Sequence, residues 1–65
     1  MKEQAEVEVW MELEPEQAMA LAQFAKRVRW TEVRQNAIGD DEADLMMDAI
    51  GILAKALAQA GYAPR

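Results

Sequence analysis

Sixty-five residues without cysteine or histidine and with a net charge of −5 make at most one domain, and disulfides and the usual zinc sites are excluded as its staples. A chain this short buries only about 60% of the surface its unfolded form exposes, so a single core is marginal and self-association is the staple that remains; a homodimer is expected. The lack of cysteine fits a reducing cytoplasm, no apolar run approaches the ~20 residues of a membrane span, and the opening MKEQAEVEV has no signal-peptide hydrophobic region.

Charge falls in blocks. Residues 1–16 carry Lys2 against six glutamates, residues 17–39 carry Lys26, Arg27, Arg29 and Arg34 against Glu32, and residues 40–65 carry five acids against Lys55 and Arg65. The order is acid, base, acid, and much of it can neutralise itself within one fold, so acidity alone does not identify a basic partner.

From Ala5 to Leu13 the chain alternates. Ala5, Val7, Val9, Met11 and Leu13 fall on one side and Glu6, Glu8, Trp10 and Glu12 on the other, the period-two pattern of a half-buried strand. A lone strand leaves its backbone groups unpaired, so a second subunit is expected to supply its partner, with Val7, Val9 and Met11 in the interface.

Pro15 in a Glu-Pro-Glu-Gln setting opens a helix, because proline at the first helical position gives up a donor that had no partner and acids favour the positive helix end. Its core face is Ala18, Leu21, Ala22, Ala25 and Val28, flanked by Phe24 and Met19, and it is expected to stop near Arg29 or Trp30. Thr31 is the expected N-cap of a short element, Glu32 to Ile38, with Gly39 as its stop.

The run from Asp40 to Ala60 predicts a long helix capped by Asp40 or Asp41 and ended by Gly61. Met46, Ile50, Leu53, Leu57 and Ala60 form one apolar row, Leu45, Ala49, Ile52 and Ala56 a second, and only Asp41, Asp44, Asp48, Lys55 and Gln59 are left as a polar strip. Such a helix carries more apolar surface than a small monomeric core can cover. Gly51 costs roughly 1 kcal/mol in a helix interior relative to alanine. The row Met47, Gly51, Ala54 and Ala58 is therefore the expected helical part of a dimer interface. The expected fold class is mainly α with one N-terminal strand, in the order β-α-α-α.

At Gln23–Trp30, QFAKRVRW, and at Ala56–Arg65, ALAQAGYAPR, the chain resembles a family of short uncharacterised proteins of bacteria and their prophages, over roughly Pro15 to Arg65. The features of that resemblance are an apolar strand, a Pro-Glu helix start, a Lys-Arg-Val-x-Trp junction, an acidic helix start and a closing Gly-Tyr-Ala-Pro-Arg. It carries no activity and no functional residue with it. In architecture, a strand followed by helices in an obligate dimer is similar to the ribbon-helix-helix DNA-binding proteins, an analogy of fold alone.

Catalysis is disfavoured: the chain has no Cys, His or Ser, a single Thr and three scattered glycines, so no nucleophilic triad or phosphate loop can be assembled. The acids Asp40, Asp41, Glu42, Asp44 and Asp48 lack the spacing of a calcium loop and read as helix capping and dipole compensation. No cofactor and no metal is called for. Duplex binding through a paired strand would place Glu6, Glu8 and Glu12 against phosphates, which argues against nucleic acid on that face. Lys26, Arg27, Arg29, Trp30 and Arg34 form a modest alternative patch for nucleic acid or a partner. The outward row Glu6, Glu8, Trp10 and Glu12 instead suits a protein with a basic surface, since spaced carboxylates stand in for phosphates and tryptophan is a good anchor. The expected function is a non-enzymatic, acidic, dimeric protein-binding module, for example a phage-derived, anti-CRISPR-like inhibitor of a nucleic-acid-handling complex. The alternative is a small ribbon-helix-helix-like DNA-binding regulator.

Overall fold

A computed structural model describes residues 5–64, and these form three helices in the order α1 (Pro15–Arg27), α2 (Trp30–Gln35) and α3 (Asp40–Gln59). Both shorter helices pack on α3 rather than on each other, so α3 is the spine. The arrangement is open: the radius of gyration is 13.4 Å, against about 10.7 Å for a compact chain of this length.

The N-terminal strand is not formed. Residues 5–14 have no regular secondary structure, and among the described residues there is no β-strand at all. The ribbon-helix-helix-like fold is therefore overturned. A strand requires a neighbouring backbone to take its hydrogen bonds, and alternation by itself supplies none. Val7, Val9, Met11 and Leu13 flank one open trough with Ala49, Ile52 and Ala56 of α3, but all four stay exposed, from 36% at Leu13 to 84% at Val7, so within the single chain neither a strand nor a helix covers the alternating side.

α1 begins as its sequence indicates. Pro15 is the first helical residue after Glu14, whose backbone N–H donates to Gln17 Oε1 at 2.9 Å, satisfying a group that the helix start leaves unpaired. Ala18 and Ala22 are buried against α3, and Leu21, Ala25 and Val28 are half-buried beside them. The helix ends at Arg27, earlier than expected, because Val28 and Arg29 both adopt extended backbone.

α2 then starts at Trp30, so Thr31 lies inside the first turn and does not cap it. The backbone N–H of Arg29 donates to Glu32 Oε1 at 2.9 Å, which moves the helix start forward. Asn36, not Gly39, closes this helix, its side-chain amide donating to the Glu32 carbonyl at 2.9 Å. Gly39 is instead the residue before α3, and Asp40 occupies the first helical position. The Asp40 carboxylate is engaged elsewhere: Arg34 Nε donates to its Oδ1 at 2.7 Å, while another Arg34 nitrogen reaches the Ala37 carbonyl at 3.2 Å. Glu42 Oε1 accepts from the Ile38 N–H at 2.7 Å. The turn between α2 and α3 is thus held by two acids of the α3 start, which also sit where the helix dipole favours them.

Gly61 ends the long helix. Its φ of +102° is a conformation that side chains with a Cβ rarely adopt. It lets the Tyr62 N–H turn back to the Leu57 carbonyl at 2.8 Å and the Gly61 N–H to the Ala58 carbonyl at 3.0 Å, the paired bonds of a Schellman motif. The same turn folds Tyr62 onto the small core of Ala18, Ala22 and Leu57, joined by Leu21 and Leu53. Val33 and Ala43 are buried as well. Burying Leu57 and Val33 contributes about 1.5–3 kcal/mol each, whereas the alanines chiefly allow the helices to approach. Among the described residues no large side chain is fully enclosed.

Candidate functional site

The features most available for recognition lie on the segment of residues 5–14 and on the side of α3 that it overlies. Along this segment the apolar residues become more exposed with distance from α1, from 36% at Leu13 to 84% at Val7. Trp10 is 89% exposed, and Glu6, Glu8 and Glu12 in the same segment are exposed as well. The ion pair Arg34–Asp40 is the only one among the described residues, so these three glutamates have no described cationic partner.

One member of the basic cluster is engaged within the fold. Lys26 and Arg27 lie in the last turn of α1, Arg29 and Trp30 at the start of α2, and all four are exposed. Arg34 is committed to Asp40 and to the Ala37 carbonyl and belongs to the fold. Reading of a DNA groove by a paired ribbon loses its basis too, because residues 5–14 form no strand.

On α3, Met47 and Ala54 are half-buried, and Gly51 and Ala58 are exposed. A Cβ placed on Gly51 would meet nothing within 4 Å, so no other part of this chain needs the glycine. The second apolar row stands out more. Leu45 is 68% and Ile52 71% exposed, and Ala49 and Ala56 between them are exposed as well. The spacing of Leu45, Ala49, Ile52 and Ala56 is four, three and four, the rhythm of a coiled-coil seam. That signal was available in the sequence, where the row reads equally well as core.

A separate concavity between the three helices is lined by Phe24, Val28, Met46 and Ile50, with Arg27 and Glu32 at its edge. Among the described residues no group of three acids is arranged to hold a metal ion, and no helix is long and apolar enough to cross a membrane.

The family model described as "Family of unknown function (DUF7706)" matches residues 1–65, the whole chain. The chain belongs to the DUF7706 family. No curated protein and no solved structure matches it. For this DUF7706 chain, family membership agrees with the resemblance to uncharacterised proteins and assigns no chemistry, so its function is argued from its surface.

Proposed function

We propose that this DUF7706 chain is a non-enzymatic protein-binding module that works as a homodimer in the bacterial cytoplasm and presents the row Glu6, Glu8, Trp10 and Glu12 to a partner with a basic surface. The observation that carries the reading is Trp10, 89% exposed among three glutamates with no described counter-charge. An exposed tryptophan is costly to leave in water and is the residue type most enriched among binding hot spots. Carboxylates on alternate residues offer a basic groove the charge pattern it would otherwise take from phosphates. The partner class that fits is a nucleic-acid-handling protein whose groove the acidic row occupies, which is the action of a phage-derived inhibitor.

The dimer is supported by the apolar side chains that α3 leaves in water, Leu45 68% and Ile52 71% exposed.

The test combines capture with reversal. Wild-type protein retains a partner from host lysate, that partner is identified and purified, and its affinity is measured with and without competing nucleic acid. Trp10→Ala is expected to weaken binding by about 30-fold or more, the loss of a hot-spot anchor. Glu6→Lys, Glu8→Lys and Glu12→Lys together should abolish it, and nucleic acid should compete. Unchanged affinity in the triple variant would reduce the acidic row to solvated surface. Binding of the isolated protein to duplex DNA with a negative salt slope would replace this reading with nucleic-acid recognition.

A further inference from the structure

We infer that the occupant of the open α3 face is α3 of a second copy, running antiparallel, so that Leu45 packs against Ala56 and Ala49 against Ile52 across a two-fold axis that passes between Ala49 and Ile52. This rests on the homodimer proposed above and specifies its interface.

Three observations converge on this pairing. The first is the seam: Leu45 and Ile52 are large, apolar and about 70% exposed, and with Ala49 and Ala56 they repeat in the heptad rhythm that lets two helices interlock. Alternating large and small residues interdigitate when the partner runs in the opposite direction, because each large side chain then meets an alanine.

The second is charge. Asp48 and Lys55 lie on the same flank of the seam, seven residues apart in sequence and both exposed. In an antiparallel pair, equivalent flanks face each other, so Asp48 of each copy meets Lys55 of the other, twice by symmetry. A parallel pair would bring two acidic helix starts together, each with Asp40, Asp41 and Glu42 in its first turn. It would also align the two helix dipoles. The antiparallel pair places each acidic start beside the other helix's C-terminal half, so the choice of direction follows from electrostatics.

The third is area. The surface of 5892 Å² exceeds the expectation for a compact monomer of its mass, about 4,200 Å², by about 1,700 Å², an excess that the exposed segment of residues 5–14 shares with the α3 face; a standard stable interface needs roughly 800 Å² per partner. Val7, Val9 and Met11 already wall the same trough and would be covered by the incoming helix as side chains, with no pairing of backbones. The expected small-residue row of Met47, Gly51, Ala54 and Ala58 lies on a different flank of α3, which the interface leaves outside.

The experiment is sedimentation equilibrium from micromolar to millimolar concentration, with helicity followed by circular dichroism. Wild type is expected to form a dimer. Ile52→Glu, at a site exposed in the single chain, should retain helicity and weaken dimerisation by about 100-fold or more, as expected for a charge placed at an interface centre. Asp48→Lys and Lys55→Asp should each weaken it by about 5–10-fold, and the double exchange should restore it to within about threefold of wild type. A dimer insensitive to Ile52→Glu overturns this interface and leaves the homodimer reading standing. Failure of the double exchange to restore affinity overturns the antiparallel direction. A wild-type chain that stays near 7.3 kDa throughout overturns the dimer itself, while the acidic row keeps its own test.

Discussion

Gly51 and Gly61 lie in and just beyond α3, and replacing each with alanine is expected to move stability in opposite directions. At Gly51 the backbone is helical and an added Cβ meets nothing within 4 Å. Gly51→Ala therefore removes only the conformational freedom of glycine in the unfolded chain and should stabilise by about 0.5–1 kcal/mol. At Gly61 the φ of +102° costs an alanine about 1–2 kcal/mol. If the turn relaxes to avoid that strain, the bonds from Tyr62 to Leu57 and from Gly61 to Ala58 are lost, together with the packing of Tyr62 on the core. For a domain of this size 1 kcal/mol corresponds to about 4–8 °C in melting temperature, so Gly51→Ala should gain about 2–8 °C and Gly61→Ala lose about 4–16 °C. Thermal unfolding by circular dichroism at two protein concentrations measures both. A Gly51→Ala variant that melts lower, and more so at high concentration, would refute the argument for that residue, because a second helix would then need the glycine for close approach. A neutral Gly61→Ala would refute the turn at the end of α3.

Other expectations are simpler. Ala43, in the first turn of α3, is fully buried, so Ala43→Leu should overpack its surroundings and cost about 1–3 kcal/mol, read as a lower urea midpoint. Asp40→Asn weakens the exposed pair with Arg34 and should cost no more than about 1 kcal/mol, with the difference from wild type shrinking as salt is raised. Arg34→Ala also forfeits the bond to the Ala37 carbonyl, so part of its cost should persist in high salt. An equal, salt-independent loss in both variants would show that charge does not hold this turn.

The helices are legible residue by residue where local chemistry sets them. Pro15 after Glu14, the acids at the start of α3 and Gly61 at its end act within a turn of their own positions, and the structure uses each at the expected end of a helix. The junctions are less legible, because competing local bonds sit within a few residues: Glu32 reaching Arg29 displaced Thr31 as the start of α2, and Asn36 displaced Gly39 as its end. At the candidate site, Trp10 and its glutamates are exposed, but so are Val7, Val9, Met11 and Leu13, so alternation did not decide which side meets water; the ion pair of Arg34 was not legible either, since its partner Asp40 belongs to another helix.

Sequence by itself determined three helical segments, their amphipathic faces and an excess of apolar surface, all of them properties of spacing along one chain. Tertiary structure decided which surface covers which. The alternation of Val7, Val9, Met11 and Leu13 does not by itself supply a partner backbone; no strand formed, and these side chains flank an open trough beside α3 in which they remain exposed. Likewise two apolar rows on α3 are equivalent in sequence, but α1 and α2 are together too small to cover both, and the row of Leu45 and Ile52 is the one left facing water.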